Sequence, residues 1–307
     1  MPVCFRILPE VEKFAISDVI TSLLHCDFKK VPTEVLIHRF MFLFKSQQHR
    51  LSPYVKCLAS YNITIESCRH HIERVCPERF GEDMEREDYC RYMLWDQRSE
   101  YKPYISTDDT LFDRYQTCME RQRSILVVKC LPKLKSVCES SEIRTTKTVR
   151  LNMETARLLL RQVRNLRLIH LVRDPRAVVL SRTTQQTYHA RWSGQSLDKE
   201  ALLYCRGVVK DVLVRNELQR EFPGSLYELI YEQFASHPQQ NVESIYSFMN
   251  ETIPESVTRW LVVNTGGEVK NSSAIAEKWK DKLRYIEVMK INSVCDKMFS
   301  IMTHKWG

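Results

Sequence analysis

Apolar positions in the first 56 residues come in short runs broken by polar ones. Behind Pro9, the spacing of Val11, Phe14, Ala15, Val19, Ile20, Leu23 and Leu24 predicts a helix. Residues 59–122 change character, with Arg, Glu, Cys and Tyr displacing long aliphatics, as in the acidic stretch Glu82 to Asp88. This reads as a Cys-rich, mostly helical excursion with much surface. From 124 onward strand and helix signals alternate. Ser124 to Lys129 and Ile143 to Arg150 read as short β-rich runs. Asn152 is placed to cap a helix carrying Met153, Ala156, Leu159, Leu160 and Val163 on one stripe. Leu166 to Val172 predicts a strand, and Asp174-Pro175 the start of the next helix. A helix over 198–221 is expected to turn Leu202, Cys205, Val209, Val212 and Leu213 inward, and Leu226 to Tyr231 reads as a last strand. Three helical segments follow; the last carries Val288, Ile291, Cys295, Met298 and Met302 at three- and four-residue steps, a core stripe.

Strands alternating with helices predict an α/β fold in which a parallel sheet is flanked by helices. No internal repeat, low-complexity tract or linker divides the 307 residues, so a single domain over 1–307 is expected. Seven glycines are too few for a fold built on several Gly-rich loops. Gly-x-Ser-x-Gly and Walker-type loops do not occur, which excludes the usual serine hydrolase and P-loop kinase sites.

The net charge of +8 favours anionic ligands in general, yet no long basic run concentrates it. Aromatic RNA-binding motifs and zinc-finger spacings are missing too, so nucleic acid is not expected as a partner. Cys68, His70, His71 and Cys76 offer metal-ligand chemistry without a Cys-x₂-Cys pair or a second half-site, and no metal is expected. Cysteines 57, 68, 76, 90, 118, 130 and 138 crowd one region, as in disulfide-stapled lumenal proteins. Sequons at Asn62, Asn250 and Asn271 point the same way, while free buried cysteines of a cytosolic chain remain the alternative. No apolar run is long enough to span a bilayer, and Arg6, Glu10, Glu12 and Lys13 break up the start against a signal peptide.

The chemistry concentrates at Leu171 to Arg182. A strand ends at Val172, Asp174 can cap the helix opening at Pro175, and the free N–H groups of that helix start attract anions. Arg173 sits at the strand end, where a guanidinium can fork onto phosphate oxygens. Ser181 adds a hydroxyl two turns on, and Arg176 and Arg182 add positive potential. By spacing alone, a capped helix start with surface arginines explains the same residues.

Arg173-Asp-Pro-Arg-Ala-Val-Val-Leu-Ser-Arg182 resembles the 3′-phosphate-binding motif of the Golgi carbohydrate sulfotransferases, the galactose, N-acetylglucosamine and N-acetylgalactosamine 6-O-sulfotransferases. In that family the first Arg and the later Ser of the motif contact the 3′-phosphate of 3′-phosphoadenosine 5′-phosphosulfate (PAPS). They match Arg173 and Ser181, with Arg176 and Arg182 beside them. Lys147 to Leu151, Cys205 with Asp211, Tyr231-Glu232-Gln233, and Asn271-Ser-Ser with Trp279-Lys resemble flanking elements of the same family. The resemblance implies a P-loop-containing sulfotransferase-like fold and transfer of a sulfuryl group from PAPS to a glycan hydroxyl, usually the 6-hydroxyl. It also implies a Golgi location behind a type II membrane anchor, with no metal.

Three departures accompany the resemblance. The family's Arg-Ser-Gly-Ser-Ser loop for the 5′-phosphosulfate has no counterpart after any glycine of this chain. Pro2 to Phe5 resembles a segment lying just behind that loop, so the first strand, the loop and the anchor are expected to be missing by truncation. Glu10 is a shifted candidate for the catalytic base, or simply an exposed helix-start carboxylate. Ile230 stands where the family has Arg. Besides an enzyme, a non-catalytic relative that binds a 3′-phosphonucleotide or glycan but has lost transfer therefore stays open.

Overall fold

The computed structural model describes residues 2–4, 10–36, 52–60, 109–149, 151–184, 197–267 and 270–302. Most of the Cys-rich stretch 59–122, including Cys68, His70, His71 and Cys76, lies outside them. The chain divides into two compact units, Met1–Val149 and Arg150–Gly307.

In the first unit, β1 (Pro2–Cys4) pairs in parallel with β2 (Lys147–Val149), with Val3 opposite Thr148. Between them lie α1 (Glu10–Leu24), a 3₁₀ turn (Phe28–Lys30), α2 (Thr33–Leu36), α3 (Ser52–Ser60) and α4 (Asp109–Glu139). The core joins Phe28, Val31, Leu36, Tyr54 and Leu58 to Leu126, Val127, Cys130 and Leu134 of α4. That packing corrects the strand expected at Ser124 to Lys129, which lies inside α4. Leu126, Val127, Cys130 and Leu134 recur at helical spacing and are buried, whereas Ile125 and Val128 are exposed. Of the two expected runs, Ile143 to Arg150 does supply a strand, confined among the described residues to Lys147–Val149.

Two disulfides bind these helices, Cys57–Cys130 between α3 and α4 and Cys26–Cys138 at the far end of α4. Cys118 is also disulfide-bonded. Loops of 73 and 112 residues closed in this way restrict the unfolded chain strongly. On chain-entropy grounds each is worth about 4–5 kcal/mol.

The second unit is built on β3 (Leu168–Val172) and β4 (Leu226–Ile230), also parallel. Before them comes α5 (Met153–Gln162), and between them α6 (Pro175–Thr184) and α7 (Leu197–Glu221). Asn152 caps α5 as its sequence predicts, its side-chain oxygen accepting the Thr155 N–H at 2.9 Å. Asp211 of α7 accepts the Met153 N–H at 2.8 Å. Met153, Ala156 and Leu160 then pack with Val214, Leu218 and Leu226.

A second cluster lies around the carboxyl ends of the strands. Val172, Val179 and Ile230 meet Ala201, Cys205, Val208, Val209 and Val212 of α7. Ile291, Cys295, Met298 and Met302 join them, so the C-terminal stripe is core. After β4 come α8 (Tyr231–Ser236), α9 (Pro238–Met249) and α10 (Glu255–Thr265). A two-residue antiparallel pair, β5 (Gly266–Gly267) with β6 (Lys270–Asn271), precedes α11 (Ser272–Glu277) and α12 (Trp279–Lys282).

The last stripe runs through two helices, α13 (Tyr285–Val294) and α14 (Asp296–Met302), with Cys295 between them. A further disulfide, Cys205–Cys295, ties α7 to this junction. Leu213, expected inward, is instead 50% exposed, because the inner face of α7 runs through Val208, Val212 and Arg215. Parallel pairing with covering helices gives the α/β class expected.

Candidate functional site

The register of β3 on β4 sets up the site. Val172 lies opposite Ile230, so the chain leaves both strands at the same level, with Arg173 and Tyr231 as the next residues. The backbone of β3 turns at Arg173 and Asp174 into α6. The Asp174 carboxylate, 4% exposed as a residue, accepts the Arg176 N–H at 2.8 Å, and the Asp174 carbonyl accepts the Val178 N–H at 3.1 Å. Pro175 lacks an N–H and so leaves no unpaired donor at its own position.

Two neighbours fix this turn. Glu232, at the start of α8, accepts the Asp174 N–H through Oε1 at 3.0 Å. Tyr204 of α7 donates its hydroxyl to the Arg173 carbonyl at 2.9 Å. Burial pushes the Tyr204 phenol upward, which keeps it a neutral donor. It also raises the Glu232 carboxyl, an effect opposed by the Asp174 N–H. The second oxygen of Glu232 is buried with no hydrogen bond among the described residues.

The three arginines of the motif differ in what they touch. Arg176 folds back on Asp174, with Nε 3.0 Å and Nη2 2.6 Å from its two carboxylate oxygens. Its guanidinium lies 3.9 Å from the Trp279 ring centroid and 5.1 Å from that of Phe299. Arg182 pairs with Glu200 and lies over Tyr204. Arg173 alone of the three makes no ion pair among the described residues. Its guanidinium is stacked 4.4 Å from the Tyr231 ring centroid, and its buried Nε has no hydrogen-bond partner among the described residues.

Ser181 lies in α6, half-buried, seven positions after Asp174 and so about two turns along the same helix face. Glu10 opens α1 in the first unit. His170 is partly buried on the covered side of β3. Its Nδ1 has no partner among the described residues. Burial, helped by the Arg215 charge, pushes its imidazole down to about 4, which leaves it neutral near pH 7.

The sequence pattern did not reveal the roles of Tyr204, Glu200 and Glu232. Tyr204 and Glu200 carry only a weak signal, polar side chains on the inward face of an amphipathic helix. Glu232 stands out only through its place in Tyr231-Glu232-Gln233. No group of His, Cys, Asp and Glu suited to a metal ion occurs among the described residues, and none of their helices is long and apolar enough to cross a membrane.

At this turn Arg173 makes no ion pair among the described residues and stands just before a helix whose dipole favours anions. Residues 82–255, more than half of the chain, match the model of the Sulfotransferase family. The chain belongs to that family. Among curated proteins it is similar to human carbohydrate sulfotransferase 1, 30% identical over 190 residues that cover 55% of this chain and 46% of the relative. Mouse carbohydrate sulfotransferase 3 is 28% identical over 161 residues, covering 46% of the chain and 34% of the relative. Human carbohydrate sulfotransferase 5 is 26% identical over 156 residues, covering 43% and 38%. The chain thus spans at most about half the length of these relatives. No solved structure matches it.

Proposed function

We propose that this chain is a PAPS-dependent carbohydrate sulfotransferase and that Arg173 and Ser181 hold the 3′-phosphate of the donor nucleotide. The observation that carries this reading is Arg173. It makes no close ion pair among the described residues, its charge acting on Glu232 only at longer range, and it stands just before α6 with a buried Nε lacking a partner among the described residues. A 3′-phosphate would supply acceptor oxygens there, and the positive end of the α6 dipole would favour it. Arg176 and Arg182, tied to Asp174 and Glu200, contribute potential and structure rather than direct contacts.

The acceptor is a glycan hydroxyl, with the 6-position as the expected one. Its oxygen forms the new bond to sulfur as the bond between sulfur and the phosphate oxygen breaks. The leaving group is adenosine 3′,5′-bisphosphate, and the hydroxyl proton passes to a base. Glu10 remains the candidate for that base. Catalysis would rest mainly on positioning and on cationic stabilisation of the leaving phosphate. The Golgi lumen is the proposed location, and the disulfides fit its oxidising route.

One observation favours a second reading. No glycine in the chain opens a Ser/Thr-rich loop for the 5′-phosphosulfate, so the chain could bind the nucleotide without transferring from it. Incubation with ³⁵S-labelled PAPS and a panel of unsulfated galactose- and N-acetylglucosamine-containing glycans separates the two. The enzyme labels a glycan; a binding protein leaves all of them unlabelled while still retaining adenosine 3′,5′-bisphosphate.

A further inference from the structure

We infer that Asn250 is an N-glycan attachment site. Asn250-Glu251-Thr252 is a sequon, and the fold places it where a large hydrophilic group can project. Helix α9 ends at Met249, and Asn250 takes the left-handed conformation with φ 59° as its cap. Asn and Gly are the residues that accept this conformation most readily, so the fold itself has a use for Asn here. Asn250, Glu251 and Thr252 are all exposed and lead into an irregular segment before α10.

The side-chain amide of Asn250 makes no hydrogen bond among the described residues. Only its backbone N–H is engaged, donating to the Ser247 carbonyl at 3.0 Å. A glycan on Nδ2 therefore leaves the hydrogen bonds of the turn in place. The sequon at Asn271 is built differently. There the Asn oxygen caps α11 by accepting the Ala274 N–H at 3.0 Å, and Ser272 donates to the Ala235 carbonyl at 2.6 Å. The third sequon, at Asn62, lies outside the described residues.

An independent observation supports the compartment that the modification needs. Three disulfides join Cys26 to Cys138, Cys57 to Cys130 and Cys205 to Cys295, as expected where thiols are oxidised during folding. The co-reactant is an oligosaccharide linked through C1 to a lipid diphosphate. The Asn250 Nδ2–C1 bond forms as the C1–O bond to the diphosphate breaks. The lipid diphosphate leaves, and the amide nitrogen loses one proton.

The test uses protein purified from eukaryotic cells that express its natural gene. Treatment with a peptide N-glycosidase in ¹⁸O water converts each occupied Asn to ¹⁸O-labelled Asp. The expected result is label at position 250, lost in Thr252→Ala, retained in Thr252→Ser, and a faster gel mobility for Asn250→Gln. Recovery of the peptide with unlabelled Asn250 overturns the inference. Binding of adenosine 3′,5′-bisphosphate, measured on the same preparations, reports on the phosphonucleotide site separately, and Asn250→Gln is expected to leave it unchanged.

Discussion

The Arg173 guanidinium lies 4.4 Å from the centroid of the Tyr231 ring, and these two residues are the first to leave the paired strands β3 and β4. Stacking on the ring holds the cation at the mouth of the turn without neutralising it, as a carboxylate would. A desolvated cation–π contact is worth about 1–2 kcal/mol. Tyr231→Ala is therefore expected to weaken adenosine 3′,5′-bisphosphate binding by about 5–30-fold, following the tenfold change per 1.4 kcal/mol. Tyr231→Phe keeps the ring face and is expected to bind within about threefold of the parent. Titration calorimetry on both variants checks this, and equal losses would remove the stacking role.

Arg173 and Arg176 should separate by stability. Arg176→Ala leaves the buried Asp174 carboxylate without its partner, a loss of about 3 kcal/mol or more in folding free energy. Arg173→Ala breaks no ion pair among the described residues and loses only the ring contact, so its melting temperature is expected to fall by a few degrees at most, clearly less than that of Arg176→Ala. Thermal unfolding by circular dichroism distinguishes a structural arginine from a ligand-facing one.

Glu232 is expected to act through the backbone of the turn. Glu232→Gln can still accept the Asp174 N–H and removes a buried charge, so stability should hold or rise. Glu232→Ala leaves that N–H unpaired at a cost of about 1–3 kcal/mol. Urea unfolding midpoints of the two variants provide the comparison.

Two buried groups give opposing pH dependences. Burial raises the Asp211 carboxyl from 3.8 to about 6, so the folded chain holds a proton that the unfolded chain has released over that range. Its contribution to stability therefore falls as pH rises from 3.8 to about 6. His170, lowered from 6.5 to about 4, binds fewer protons when folded, so its contribution rises over that interval. Asp211→Asn should consequently make stability climb more steeply from pH 4 to 6, and His170→Gln should do the reverse. Chemical unfolding at a series of pH values reads both slopes.

What could be read in advance was what local chemistry fixes. Asn152 and Asp174 announce helix starts because a cap needs only the next two or three residues. Arg173 and Ser181 stand out because the motif around them is contiguous. The contacts that brace the turn come from 31 and 58 residues away, through Tyr204 and Glu232, and neither is set by local spacing. The strand expected at Ser124 to Lys129 failed for a related reason. Four consecutive apolar residues, Ile125 to Val128, fit either structure in a short window. Only the burial of Leu126, Cys130 and Leu134, with Cys130 bound to Cys57, settles the helical period.

The most direct test of the 3′-phosphate site compares two ligands that differ only in that group. Calorimetry of the intact chain should show adenosine 3′,5′-bisphosphate binding clearly more tightly than adenosine 5′-monophosphate. A charge-assisted contact of about 1.5–3 kcal/mol implies a difference of about 10–150-fold. In Arg173→Ala the two affinities should converge, with the monophosphate little changed. Equal affinities in the intact chain, or a preference that survives Arg173→Ala, would contradict the assignment.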